Sequence, residues 1–359
     1  MPAELEARDD GVVKRLGYVP ALDGVRAVAI LSVIGFHAIR FPFGGELGVD
    51  VFFVLSGFLI TTLLLNEHGD EGRLSLRAFS RRRALRLLPA LFTMLAVYLA
   101  VAGMLYAAGR WNTQHAFGAL RAAGAGSFYI ANLASAYSDT LTGDLNHLWS
   151  LATEEQFYLV LPLVLIICPR LRLGPRRLML LLFAVLAFVL AHRAQLVLSG
   201  SYTAGRHAFY GPDCRADGLI VGCIAGVAYT HGLTRLMRRA AAVAPLLVCL
   251  ILAFGAPFAP RMLFVLPLLN LAVAAVLVNI AERPDAHPHL RRRPVVYLGR
   301  ISYGLYLWHP LTIAAFGPVG ALVALPVAAA SYRIVEQPFL RRRHRPERVQ
   351  AIALPAAAR

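Results

Sequence analysis

Residues 23–38 read DGVRAVAILSVIGFHA. An arginine and a histidine stand in a run that is otherwise apolar, and how this run is read decides the fold. If it crosses a membrane, Arg26 and His37 sit where charge is expensive, and such groups face a cavity or a partner. They are 11 residues apart, a spacing that returns a helix to within about 20° of the same face and advances it by about 16 Å. One face of a single helix then carries an arginine near one membrane surface and a histidine near the other. The blander alternative is a snorkelling arginine at a helix end and a packed histidine.

The rest of the chain favours the membrane. It has 359 residues, 58% of them hydrophobic, with a mean hydropathy of +0.61. The apolar residues come in blocks, and a spanning helix needs roughly 20 of them. Blocks near 22–40, 45–65, 87–108, 147–168, 178–198, 213–230, 241–258, 262–281, 295–316 and 319–336 predict an all-α polytopic integral membrane bundle of about ten helices. This domain fills 21–340, between a tail at 1–20 and a basic tail at 341–359. The first tail lacks the apolar core of a cleaved signal, so the first block is expected to stay as a helix. Residues 115–135 are rich in glycine, carry Arg121 and read as a re-entrant or surface element.

A net charge of +16 taken alone could point to nucleic acid. Its placement argues otherwise. With the N-terminus inside, 26 of the 36 lysines and arginines fall on cytoplasmic segments and 5 on outer ones. That asymmetry predicts both termini in the cytoplasm and a multi-pass cell-membrane protein, with the lipid bilayer as a partner and no nucleic acid. No internal repeat is visible, so the inverted-repeat signature of many transporters is missing. Cys168, Cys214, Cys223 and Cys249 lie in or beside apolar blocks without CxxC spacing. They read as packing residues, and no disulfide, metal or redox cofactor is expected.

Several constellations could carry chemistry. The first two spans form a short hairpin, and His37 and Asp50 are equidistant from its midpoint, so they are expected at similar depth. A carboxylate against an imidazole raises its basicity, the arrangement of a general base; an N-cap role for Asp50 is equally open. Arg82, Arg83 and Arg86 in FSRRRALRLLPAL (79–91) form either an anion clamp for a phosphorylated donor or an ordinary basic flank. HLWSLATEEQFYLVLPLV (147–164) brings Trp149, Glu154 and Glu155 into a span from the outer side. They fit an acceptor pocket or a helix-dipole role. Asp213, Arg215 and Asp217 mark another outer helix start. Tyr303, Tyr306, Trp308 and His309 follow in LGRISYGLYLWHPL (298–311). These groups sort into an outer acid/base layer (His37, Asp50, Glu154, Glu155, Asp213, Arg215, His309) and an inner arginine layer (Arg26, Arg82, Arg83, Arg86, Arg300, Arg333).

In this order the motifs resemble the acyltransferase 3 family of integral membrane O-acyltransferases. The likeness rests on Arg26 and His37, GVDVFFVLSGFLIT, RRALRLLP, HLWSLATEEQFYLVLP, DCRADGLIVG, SYGLYLWHP and YRIVEQP, and spans about 20–340. It implies transfer of an acetyl or other short acyl group from cytoplasmic acyl-CoA to a hydroxyl. The acceptor would be an extracytoplasmic carbohydrate, glycolipid or metabolite. It implies His37 as the essential histidine with Arg26 as its motif partner, the arginines at 82, 83 and 86 at the CoA phosphates, and Glu155 as a conserved acid. Asp50 or Glu155 would orient His37. Glu154, Trp149, Arg215, Tyr303 and His309 are expected at the substrates. Acyl-CoA is a substrate, and no tightly bound cofactor is expected. Ending at 359, the chain is expected to be the stand-alone form, with any extracytoplasmic partner enzyme a separate protein. An acyl-His37 intermediate or a Ser56 nucleophile remains open, as do a macrolide-type acceptor and an anion exporter. An exporter would release no CoA.

Overall fold

A computed structural model describes residues 14–71, 75–138, 143–170 and 174–342, and among these all regular structure is helical. The two tails, 1–13 and 343–359, lie outside the described residues, as do 72–74, 139–142 and 171–173.

The helices are α1 (Pro20–Ile39), α2 (Gly48–Glu71), α3 (Leu76–Ala107), α4 (Thr113–Ser127), α5 (Ala131–Tyr137), α6 (Leu148–Arg170), α7 (Pro175–Leu198), α8 (Tyr202–Tyr210) and α9 (Pro212–Arg215). They continue with α10 (Asp217–Thr230), α11 (Arg235–Ala240), α12 (Ala244–Phe254), α13 (Phe258–Pro260), α14 (Leu266–Glu282), α15 (Arg293–Arg300), α16 (Ser302–Phe316), α17 (Gly320–Ser331) and α18 (Gln337–Arg342). Local chemistry sets several ends. Pro20 opens α1, where its missing N–H costs nothing. Arg40 closes it in the left-handed region at φ 58°. The Ser75 side chain caps α3 by accepting from the Ala78 N–H, and Asn112 caps α4 from His115.

Among the described residues, seven stretches are long and apolar enough to cross a membrane. The expected ten blocks relate to them simply. The last stretch, 302–341, folds back at Gly317, whose φ of 62° suits glycine. Gly320 there lies against the Thr312 carbonyl and Gly304 against Ala328, so α16 and α17 run side by side as an antiparallel hairpin. The two other blocks, α10 and α12, have 14 and 11 residues. At 1.5 Å per residue these are roughly 21 and 16 Å long, short of the ~30 Å hydrocarbon layer. The ambiguous block 115–135 forms α4 and α5, broken at Tyr129 (φ 53°), and neither is of spanning length.

The centre of the bundle is α10, in which every residue is buried. A helix apolar all round belongs in a core. It packs on α2 through glycine: Gly57 meets the Leu219 carbonyl, and Gly222 meets the Val54 carbonyl and Phe58. Small residues let two backbones approach closely, as in membrane helix pairs. Peripheral helices instead expose large apolar side chains, including Leu180, Phe183 and Phe188 on α7, as a lipid-facing surface would.

Candidate functional site

Two cavities lie one beyond the other along α1. The first has an empty volume of about 1100 Å³ and is walled by α1, α2, α3, α6 and α16. Four arginines, Arg26, Arg82, Arg83 and Arg86, line it against one carboxylate, Glu154, which makes it an anion-favouring space. Each charge is held by neighbours. Arg26 reaches Asp23 at 2.7 Å, and Arg82 pairs with Glu67. The Arg83 guanidinium lies 3.6 Å from the Tyr158 ring centre and 3.3 Å from Glu155. Tyr158 and Ser56 donate to Glu154 at 3.2 and 3.3 Å. Tyr303 also lines this cavity and donates to the Leu87 carbonyl at 2.9 Å.

This corrects one expectation. Glu154 and Glu155 do not join His37 in an outer layer; they stand among the arginines. The reason is helix rise. The start of α6 at Leu148 is on the far side, but six or seven residues along a helix is roughly 10 Å of descent. Trp149, at the first turn, does line the far cavity.

The second cavity, about 1080 Å³, is lined by His37, Asp50, His147, Trp149 and Arg215, with Tyr210 and Tyr306. His37 is exposed on α1. Its Nδ1 lies 2.8 Å from the Val33 carbonyl. A carbonyl only accepts, so Nδ1 carries the proton, and Nε2 of the neutral ring keeps a lone pair. The His309 ring lies edge-on 5.2 Å from His37, and His147 lies 6.0 Å from His309. His309 is fully buried and donates from Nδ1 to the Tyr306 carbonyl at 2.9 Å. Its Nε2 and both ring nitrogens of His147 have no hydrogen-bond partner among the described residues.

Asp50 shares this cavity with His37, but its partner differs from the expected one. Its carboxylate accepts from Arg215 at 2.7 Å, with both side chains buried. A guanidinium binds a buried carboxylate more strongly than a neutral imidazole does, so the Val33 carbonyl, not Asp50 or Glu155, sets the His37 tautomer. The Arg215 guanidinium lies 5.2 and 5.5 Å from the ring centres of Trp149 and Phe209, which pack on each other on one side of it. A second buried pair, Arg193 with Asp217 at 2.8 Å, lies beside it, and Asn270 donates to the same carboxylate.

Tyr306 and Val49 line both cavities and so form the partition between them. The Tyr306 hydroxyl is 2.6 Å from Ser150 Oγ and donates to the His147 carbonyl at 2.5 Å. Arg26 opens into one cavity and His37 into the other, as their spacing on one helix face predicts. In the sequence, His147 and Tyr306 stand out only as members of their motifs, without a role of their own, and Glu46 and Arg261, which pair in the lining of the second cavity, do not stand out at all. A histidine one residue ahead of an apolar helix was the available signal for His147. For Glu46 with Arg261, 215 residues apart, the sequence holds none.

A family model described as an acyltransferase domain, of the acyltransferase 3 group, matches residues 19–337. The chain is 32% identical over 362 residues to "Peptidoglycan O-acetyltransferase OatA" of Listeria monocytogenes serovar 1/2a, covering 90% of this chain and 54% of that protein. It is 30% identical over 373 residues to "Putative peptidoglycan O-acetyltransferase YrhL" of Bacillus subtilis strain 168, covering 90% and 55%. The chain thus spans about half the length of these curated relatives. No solved structure matches it.

Proposed function

The chain belongs to the acyltransferase 3 family, and we propose that its two cavities are the donor and acceptor sites of a membrane-bound O-acyltransferase. The donor is acyl-CoA carrying an acetyl or similarly short group. Its phosphates rest on Arg82, Arg83 and Arg86, because guanidinium groups match phosphate geometry and stay charged. The phosphates compete there with Glu67 and Glu155. The thioester end reaches the partition at Tyr306.

The acceptor is a hydroxyl of a cell-wall carbohydrate. Trp149 and Tyr210 offer flat apolar faces in the second cavity, and Glu46, Asp144 and Asn146 offer polar contacts around them. Few polar groups among aromatic walls is the usual build of a small-molecule site. The named activity of the relatives supports the same acceptor class.

His37 Nε2 takes the acceptor proton as the hydroxyl oxygen attacks the thioester carbonyl. The C–O bond forms, the C–S bond breaks, and the CoA thiolate leaves, recovering the proton from the imidazolium. Val33 holds the His37 ring throughout. His309, against the His37 ring, keeps that ring in place and excludes water from its inner face.

The observation that carries this reading is the pair of cavities sharing Tyr306, one lined by arginines and one by His37. The test measures CoA release and acetyl transfer to cell-wall glycan fragments from labelled acetyl-CoA by purified protein. His37→Ala is expected to lose about 10²–10⁴-fold in transfer and to bind acyl-CoA as the wild type does. Equal transfer in both proteins would remove His37 from the reaction. Acyl-CoA-independent flux of an anion without CoA release would favour an exporter.

A further inference from the structure

A separate group of donor atoms stands where α7, α8 and α9 meet, outside both cavities. His192 lies near the end of α7, His207 near the end of α8, and Asp213 and Cys214 in the single turn of α9. His192 Nε2 is 3.0 Å and His207 Nε2 is 2.9 Å from the same Asp213 Oδ2. Donor atoms of all four side chains, including Cys214 Sγ, lie within 4.8 Å of one another.

We infer that these four residues form a binding site for a divalent transition ion of the zinc class. Zinc takes two imidazole nitrogens, a carboxylate oxygen and a thiolate readily, and this borderline donor set suits it better than magnesium or calcium. Tetrahedral bonds of about 2.1 Å to N and O and about 2.3 Å to S set donor separations of roughly 3.4–3.6 Å. The histidine–aspartate separations of 3.0 and 2.9 Å fall about half an ångström short of that range, and no separation in the group exceeds 4.8 Å. Closure on an ion therefore needs adjustments of about 1 Å or less for most donor pairs, within reach of side-chain rotation.

The surroundings fit as well. The Phe188 ring stacks on His192, with planes 9° apart, and the Tyr137 ring stands edge-on to His207 at 5.5 Å, so both imidazoles are oriented. The neighbouring cations do not oppose an ion, since Arg193 and Arg215 are committed to Asp217 and Asp50. His192, His207 and Asp213 are partly exposed while Cys214 is buried, which gives an entry path with a closed floor.

The expected absence of a metal site rested on cysteine spacing. That criterion fails here because three helices supply the ligands, and two of the four are histidines 15 residues apart. The site's place in the fold gives it a task. α8 carries Phe209 and Tyr210 and α9 carries Arg215, all of which line the second cavity. An ion joining α7, α8 and α9 fastens that wall from behind.

The test uses the full chain purified in detergent, stripped with a chelator and titrated with Co²⁺ alone. A visible d–d absorption saturating at one equivalent, and displaced by Zn²⁺, is expected. His192→Ala and His207→Ala are each expected to weaken Co²⁺ binding by at least about 100-fold, since loss of a ligand exceeds the 10–100-fold cost of losing an outer-shell partner. His231→Ala should leave binding unchanged. His207→Gln, checked for a wild-type size-exclusion profile, guards against a variant that merely fails to fold. Zn²⁺ should also raise the Tm of the wild type and of none of the ligand variants. No absorption in the wild type, or equal titrations for the wild type and the histidine variants, would overturn the site.

Discussion

Asp50 and Arg215 lie 165 residues apart in sequence and 2.7 Å apart in the structure. Removing one member of a buried pair strands the other charge, at a cost of about 3–5 kcal/mol. Asp50→Ala is therefore expected to lower the Tm of the detergent-purified protein sharply. Asp50→Ala combined with Arg215→Leu should recover part of the loss, because no unpaired charge remains; no recovery would show that the pair is not the source of the loss. At Tyr306 the expected effect is catalytic. Tyr306→Phe drops the hydroxyl that joins Ser150 to the His147 carbonyl, and should lower kcat for transfer more than it raises KM for acyl-CoA. A change confined to KM would place Tyr306 in donor binding alone. The sequence showed that Asp50 and His37 share a depth, because depth follows from counting residues around a hairpin. It did not show which cation Asp50 would meet, because that cation arrives from a distant helix.

The contact between α2 and α10 rests on glycines, Gly57 on α2 and Gly218, Gly222 and Gly226 on α10. A methyl group at Gly222 would lie 2.8 Å from Phe58 N. Gly222→Leu should push the helices apart at a cost of about 1–3 kcal/mol or more, read as a loss of folded protein on size exclusion. A normal profile would mean that the two helices have slack. Apolar block length made α1, α2, α3, α6, α7 and the stretch 258–282 that ends in α14 legible from sequence, since each is an apolar run of spanning length. α10 and α12 were overextended, since an apolar block does not reveal where the helix inside it ends. The assignment of Glu154 and Glu155 failed for the complementary reason. An acidic pair near a helix start was placed at the helix start, although each residue moves about 1.5 Å along the axis.

Across the whole molecule, the two cavities lie at successive depths with only Tyr306 and Val49 common to both. If they open on opposite membrane faces, single cysteines introduced into a Cys249→Ser background should label from opposite sides. Arg86→Cys should react with an impermeant maleimide from one face and Glu46→Cys from the other. Labelling of both from one face would refute the two-sided reading. Tyr306→Ala, which removes most of the partition, should raise acyl-CoA hydrolysis in the absence of acceptor, measured as free thiol.

The partition also has a place in time. α1 and α2, which carry Arg26, His37 and Asp50, leave the ribosome early, and α16, which carries Tyr306 and His309, leaves it near the end of the matched domain. Until α16 is delivered, both chambers lack the side chain of Tyr306 that lines them. A nascent chain stalled before that point holds most of its reactive groups without the divider that keeps them in register. The order of synthesis thus leaves the division between the two chambers to one of the last helices of the matched domain.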